Sequence, residues 1–535
     1  MVADIETREV VYRKSLDYAL DRRLNVFGIN SDYILPPRSA EGRDSAKGGE
    51  EGEANQPPMM YPASLDAIFA DIVGELPLAN LSLNDIAVIN ISAQQHGHVF
   101  LRDSAQGQFT NLRRANLALG HNLTQLLDGA FSLPFARIWR TSNTGKEAEF
   151  VRRAVGGKEN LIRLSGSDAP LRFSAFGIMK SARDFPDAYR ATSVIHQISS
   201  LIPAVLTANV RVPLDYGNAC GTSLMDYSKK KWSRVLIEAA AQGLPGGERA
   251  LLEKLPALTS SMTLVGSIAP YFVSKYGFGS ACKVGIGSGD NPQTKVLVSG
   301  SLLSLGSSFV IMVETDGATF DMDGNANAMY DALDRPFMFG CRTNGALRWD
   351  AVRAMHGMGK DDYERAEQAL RATPPGNNGR IFLWQTEKES FPISGIFGPT
   401  RLGYEAGEFA ADYAGIVEST LAATYLHSRQ FMMPGDTLYV TGGPASSPEV
   451  LRRVAAIWNR RVIPVEQAGA ALGAAVSGAY ALLASDGNAP NLAEFASSFM
   501  TNRAPLQPRP EDVAAYHGLN GYLEKYIEAE KNLLG

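Results

Sequence analysis

Cysteine, histidine and long apolar runs are scarce in this chain. Only three cysteines occur among 535 residues, Cys220, Cys282 and Cys341, far apart and odd in number. That excludes a disulfide framework and a cysteine zinc site, and it points to a reducing compartment. No apolar run approaches the about 20 residues of a membrane span, and the opening Met-Val-Ala-Asp-Ile-Glu carries no secretory pattern. The expectation is a cytoplasmic protein without membrane contact. An excess of one charge is also lacking: 51 basic against 56 acidic residues leave a net charge of -5. No basic face for nucleic acid emerges, and the short run Lys229-Lys-Lys231 reads as the solvated tip of a hairpin. At this length one core is too little, so two large domains or more are expected.

What is present is a repeated alternation of strand and helix signals. The chain opens as a hairpin, Val2–Ile5 and Glu9–Arg13 about a turn at Thr7-Arg8. Residues 36–58 are rich in Pro, Gly, Ser and charge and read as a mobile surface loop. Pro62–Ile72 has helical periodicity, and Ile86–Ser92 is a continuous apolar run, as for a strand covered on both faces. Further on, Lys295–Gly300 leads to Ser304–Val313, a Gly/Ser turn entering a strand. Residues 436–443 form a strand ending in a glycine pair. Pro448–Trp458 is an amphipathic helix with Val450, Leu451, Val454, Ala455 and Trp458 on one face. A strand, Arg461–Val465, precedes a small-residue helix over 468–475. Such alternation means α/β layering, with ligands beyond the C-terminal ends of the strands.

The string richest in chemistry is Lys283-Val-Gly-Ile-Gly-Ser-Gly-Asp-Asn-Pro-Gln293. Three glycines let the backbone turn sharply or a ligand approach it closely, and Asp290 follows at once. A carboxylate there can take a proton from a substrate hydroxyl. It can equally be the cap of an ordinary strand-to-helix turn.

Several strings together carry a family resemblance. Ser92-Ala-Gln-Gln-His-Gly97 resembles the sugar-binding turn of the FGGY carbohydrate kinases, in the form of eukaryotic-type xylulokinases. The block Leu264–Phe278 followed by Gly289-Asp-Asn-Pro292 is similar to the same family. So are Ser304-Leu-Gly-Ser-Ser308, Thr343-Asn-Gly345, Thr441-Gly-Gly443 and Ala471-Leu-Gly-Ala474. Each alone is weak, but they stand in the family's order from about residue 90 to 480. The resemblance implies an α/β fold of two actin-like (ribonuclease-H-like) ATPase domains with an interdomain cleft. Residues 1–283 would form the sugar-binding side and 284–535 the nucleotide-binding side. It implies transfer of the ATP γ-phosphate, with Mg2+, to a hydroxyl of a ketose, most like D-xylulose to D-xylulose 5-phosphate. The partner is a small-molecule sugar, and a homodimer is left open.

Carried over residue by residue, the resemblance makes Asp290 the base and Asn291 a sugar contact. Gln95 and His96 become the sugar-contacting pair, and Arg172 a more loosely aligned third contact. Gly306, Ser307 and Ser308 become the second phosphate loop. Gly442 and Gly443 become the adenosine platform, with Ser446 and Ser447 beside it. The ordinary readings are a structural histidine at a strand end, a surface arginine in a salt bridge, and a plain β-turn. A metal held by His96 and His98 is rejected, because no Asp, Cys or third His clusters in that string. The metal site itself is unknown.

The departures are substantial. The family opens with a strand and an Asp-x-Gly-Thr loop for Mg2+ and phosphates. The hairpin Val2–Arg13 reads as the second and third strands of that sheet, and Asp4 is no substitute for the loop's acid. Thr141 in Trp139-Arg-Thr141 and Asn218 in Asp215-Tyr-Gly-Asn218 stand where relatives carry acids. A start codon placed too late explains the first departure, and a non-catalytic relative explains all three. The chain as given is therefore expected to be a poor kinase. The alternatives are a sugar- or nucleotide-binding pseudokinase and a kinase for another ketose or a polyol.

Overall fold

A computed structural model describes residues 1–35, 50–359, 361–405, 407–435, 437–466 and 469–534. The chain forms two compact units. The first comprises Met1–Leu297, Met329–Arg335 and Gly469–Phe499; the second comprises Val298–Ala328, Pro336–Ala468 and Met500–Gly535. Instead of one division near residue 284, the first long crossing falls after Leu297. The small-residue helix also returns to the first unit.

In the first unit, a four-stranded antiparallel sheet runs in the order Asn55–Gln56, Ala136–Arg137, His98–Arg102, Thr192–Gln197. A three-stranded sheet runs Leu264–Ser267, Lys283–Gly285, Val88–Ile89, and a parallel pair joins Ser288–Gly289 to Ser92–Ala93. Its core includes Val99, Leu101, Phe109, Ile138, Leu201, Val205 and Phe272. Helix Ile198–Thr207 has nearly every residue buried, which is why its sequence is apolar all round.

Three expectations change here. The opening hairpin exists but is shorter, pairing Val2–Ala3 with Val10–Tyr12. Asp4 occupies its turn, accepting from the amides of Glu6 at 2.7 Å and Thr7 at 2.8 Å. The run Ile86–Ser92 is not one fully covered strand. It is two short strands, Val88–Ile89 and Ser92–Ala93, and both are only half-buried. Asn90 interrupts it, because its Oδ1 accepts from Gly287 N at 3.0 Å and its Nδ2 donates to Ser477 Oγ at 2.9 Å. Of the region 36–58, residues 36–49 lie outside the described residues. Glu50 and Glu51 are exposed, but residues 53–58 are not a surface loop: Asn55 and Gln56 are buried in a strand, and buried Arg137 pairs with Glu53. Pro and polar composition misled there because the polar groups are paired inside rather than solvated.

The second unit is built on strands in the order Pro336–Arg342, Phe309–Glu314, Ser301–Leu305, Leu438–Thr441, Val462–Pro464. Its central helix, Phe409–Ser428, is buried along most of its length. Inside it Glu418 meets Arg453 at 2.9 Å, both fully buried, and Arg453 also donates to the carbonyls of Leu370 and Thr373. Extra hydrogen bonds of this kind are what a buried ion pair needs to offset desolvation. Pro448–Trp458 is helical as expected and buries all five residues of its apolar face.

Candidate functional site

The first unit brings Gln95, His96, Arg172, Asp290 and Asn291 into one neighbourhood. Two short parallel strands do this. Ser92–Ala93 leads into Gln95 and His96, while Ser288–Gly289 leads into Asp290, and Gly289 pairs with Ala93. Asn291 Nδ2 then donates to Gln95 Oε1 at 2.9 Å.

The three glycines before Asp290 serve this convergence rather than leaving space for a ligand. A Cβ on Gly285 would stand 2.4 Å from Asn90 Oδ1, and one on Gly289 would stand 2.2 Å from Gln95 Cγ. Gly287 has φ +77°, where L side chains are strained, and its Cβ would meet the Ser199 carbonyl at 2.7 Å. Each glycine is thus filled by the protein's own atoms. The same holds for Gly473 of the Ala471-Leu-Gly-Ala474 string. Its Cβ would overlap the Gln293 carbonyl at 1.7 Å, so glycine lets helix Ala470–Ser485 press onto helix Asp290–Lys295.

Asp290 is exposed to solvent, yet enough protein surrounds it that burial pushes its carboxyl above the ordinary range. The amides of Asn291 and Gln95 oppose that push by favouring the charged form. Asp290 is the first residue of the helix, whose N-cap is Gly289.

His96 is buried and sits at φ +68°, an uncommon conformation for a non-glycine residue. Its ring stacks on Phe173 with centroids 4.7 Å apart. Its Nδ1 lies 3.1 Å from the Gly221 carbonyl. A carbonyl only accepts, so Nδ1 carries the proton and Nε2 is left as an acceptor. Burial, with the positive charge of Arg172 next, pushes the imidazole down to about 3, so the ring is neutral at physiological pH. Arg172 is half-buried beside it.

The residues replacing acids are structural here. Thr141 Oγ1 donates to the Ala54 carbonyl at 3.1 Å and accepts from Ala54 N at 3.3 Å. Asn218 Nδ2 donates to Asp215 Oδ1 at 2.9 Å and to Ser199 Oγ at 2.7 Å.

In the second unit, Gly306, Ser307 and Ser308 form the turn of the hairpin between Ser301–Leu305 and Phe309–Glu314, not a turn leading into a single strand. Ser307 is exposed, and Ser308 Oγ donates to the Thr343 carbonyl at 3.3 Å. The string Thr343-Asn-Gly345 braces this turn: Ala346 N donates to the Gly306 carbonyl at 3.1 Å. Glu389, which the sequence did not single out, holds that brace by accepting from Thr343 N at 2.6 Å and Asn344 N at 3.0 Å. Only its distance in sequence hid it.

Gly442 and Gly443 follow strand Leu438–Thr441 but differ in kind. Gly442 has φ +100°, and its Cβ would meet the Leu305 carbonyl at 2.1 Å. Gly443 would meet nothing within 4 Å, so its Cα faces open space. Ser446 is exposed, with Oγ donating to the Gly443 carbonyl at 2.8 Å. Ser447 caps helix Pro448–Trp458, accepting from Val450 N at 3.0 Å, and its hydroxyl donates to Glu367. That hydroxyl is committed to the fold. Among the described residues no group of three His, Cys, Asp or Glu stands together as a metal site, and no helix is long and apolar enough to cross a membrane.

Comparison with known proteins gives the same class of molecule. Residues 394–482 match the FGGY family of carbohydrate kinases, C-terminal domain. Xylulose kinase 2 of Arabidopsis thaliana is 27% identical over 493 residues, covering 87% of this chain and 84% of that protein. Xylulose kinase of Mus musculus is 26% identical over 532 residues, covering 96% and 92%. Among solved structures, xylulose kinase from Rhodospirillum rubrum superposes with a TM-score of 0.74 at 15% identity, covering 91% of this chain and 92% of that one. Plasmodium falciparum glycerol kinase with ADP gives 0.68 at 14% identity, covering 91% of each. The fold is therefore the two-domain, actin-like α/β fold of sugar kinases. The chain is thus similar to the FGGY carbohydrate kinases at residues 394–482 and to xylulose kinases along most of its length.

Proposed function

We propose that this protein is an ATP-dependent sugar kinase that phosphorylates a hydroxyl of a ketose, with D-xylulose, giving D-xylulose 5-phosphate, as the substrate it fits best. The observation that carries the reading is the convergence of a solvent-exposed acid, Asp290, with the polar set Gln95, His96, Arg172 and Asn291. The named activity of the xylulose kinases of Arabidopsis and mouse supports the ketose.

In this reading Asp290 accepts the proton of the attacking hydroxyl. Removing a general base typically costs about 10²–10⁴-fold in rate. His96 accepts a hydrogen bond from a sugar hydroxyl through Nε2, since Nδ1–H is spent on Gly221. Gln95 and Asn291 already bond each other, so they meet the sugar as a preorganised pair. A sugar lacking the matching hydroxyl would leave buried polar groups unpaired, which is the source of selectivity. The nucleotide rests on the second unit, with the exposed turn at Ser307 toward the phosphates and the open Cα of Gly443 toward the base or ribose. Gly442 and Ser447 shape that surface without touching the ligand. ATP with Mg2+ supplies the transferred group and neutralises its charge. The residues that hold Mg2+ are not assigned. The protein acts on a small molecule, and its few, unpaired cysteines support residence in the cytoplasm.

The alternative is a protein of the same fold that binds sugar and nucleotide without transfer. Thr141 and Asn218, both committed to internal hydrogen bonds, are what favours it. An ADP-release assay over ketoses and polyols separates the two, run on this chain and on any version extended upstream in frame. Ketose-dependent release supports the kinase. Sugar-dependent stabilisation without release supports the binding protein.

A further inference from the structure

Asp215 is almost completely buried, 1% exposed, and ends the strand Leu214–Asp215. One carboxylate oxygen, Oδ2, accepts from Ser288 Oγ at 2.5 Å and from Asn218 N at 3.1 Å. The other, Oδ1, accepts from Asn218 Nδ2 at 2.9 Å. Ser288 is fully buried and lies two residues before Asp290. Its own amide donates to the Ile91 carbonyl at 3.0 Å, and it pairs with Ser92, three residues before Gln95. The carboxylate is thus fastened to the pair of strands that delivers both halves of the proposed sugar site. The attachment is crowded: a Cβ on Gly217 would stand 2.8 Å from Asp215 Oδ2 and 2.9 Å from Ser288 Oγ.

We propose that Asp215 is a positioning residue for the transfer: through Ser288 it holds the strand end carrying Asp290 in register with the strand carrying Gln95. The inference rests on Asp290 being the base. A buried charge with only neutral donors is costly unless a specific geometry repays it, and a cap alone does not require a charge, since Asn caps as well as Asp. What the charge adds is a short, charge-assisted bond to Ser288. The groups that act on this carboxylate are the Ser288 and Asn218 donors and Asp334, and its charge in turn helps raise the buried thiol of Cys220. Burial first, and Asp334 last, raise it, while Ser288 and Asn218 lower it, leaving it at about 6. Below that pH the bond to Ser288 loses its charge assistance.

The test compares Asp215→Asn, Ser288→Ala and Asp290→Asn. Misplacing a reacting group by about 1 Å costs about 10²-fold. Asp215→Asn and Ser288→Ala should therefore each lower kcat by about 10²-fold. KM for the sugar should stay within about threefold, because His96 is anchored on Gly221 and not on Ser288. Melting temperatures should stay near that of the parent, and the acidic limb of kcat near pH 6 should flatten in Asp215→Asn. Parental kcat and pH profile in either variant, with Asp290→Asn inactive, would overturn the inference alone. An active Asp290→Asn would overturn the reading of the site on which it rests. Amide hydrogen exchange needs no substrate. Exchange at Ser288, Gly289 and Asp290 should accelerate at least tenfold in Ser288→Ala, and parental rates there would also overturn the proposal.

Discussion

The glycine pair after strand Leu438–Thr441 separates folding from binding within two adjacent residues. Gly442→Ala should damage the fold. Its φ of +100° lies where an alanine is strained, at about 1–3 kcal/mol. Its Cβ would also stand 2.1 Å from the Leu305 carbonyl. That carbonyl belongs to a strand paired on both sides, Leu305 with Phe309 and the preceding Ser304 with Thr441, so it cannot retreat without breaking the ladder. Overpacking of this kind costs typically about 1–3 kcal/mol. The sum, about 2–6 kcal/mol, is far above the about 0.5 kcal/mol of an ordinary surface change. For a domain of about 150–250 residues it lowers the melting temperature by about 5–20 °C. Gly443→Ala, by contrast, should melt like the parent, because its Cβ enters open space. If the nucleotide lies against this backbone, that same methyl should weaken ATP binding about tenfold or more. Urea melts followed by tryptophan fluorescence measure the first effect, and titration with an ATP analogue measures the second. A Gly442→Ala variant as stable as the parent would refute the packing argument. A Gly443→Ala variant binding nucleotide normally would remove the nucleotide from this surface.

Acid should destabilise the first unit steeply. His96, His98 and His196 are buried and neutral, pushed down by burial to about 3, about 4 and about 4, against 6.5 unfolded. Their folded values are depressed, so the stability they contribute is complete above pH 6.5 and is lost as pH falls toward 4. Three protons taken up on unfolding give a slope of about 4 kcal/mol per pH unit, and a flat denaturation profile between pH 6 and 4.5 would contradict it. Asn218→Asp would place a second carboxylate about where Asn218 Nδ2 now stands, 2.9 Å from Asp215 Oδ1. At pH 8 it should cost about 3–5 kcal/mol, with partial recovery at pH 5, where a shared proton relieves the repulsion. Equal loss at both pH values would show that charge is not the cause.

Local strings were legible because they are continuous. The helix at Pro448–Trp458 and the glycine turn into Asp290 were read from the residue pattern, while Gln95 and His96 were singled out only through the family resemblance. What stayed hidden depends on contacts across long separations. Glycines 285, 287 and 289 suggested room for a ligand, but Asn90, Ser199 and Gln95 fill that room. Nothing near Ala470–Ser485 reveals that this helix joins the first unit, where Gly473 meets Gln293. Asp215 and Glu389 look like ordinary acids until Ser288 and the amides of Thr343 and Asn344 are found at their carboxylates. Polarity misled at residues 53–58 because an internal partner, Arg137, takes the place of water at Glu53.

The most direct test of the account is ADP release with ATP, Mg2+ and D-xylulose, measured beside Asp290→Asn at matched melting temperature. The account predicts ketose-dependent release that falls about 10²–10⁴-fold in the variant, while D-xylulose still stabilises both proteins. Release that does not depend on a ketose or polyol, or that persists undiminished in Asp290→Asn, would contradict it.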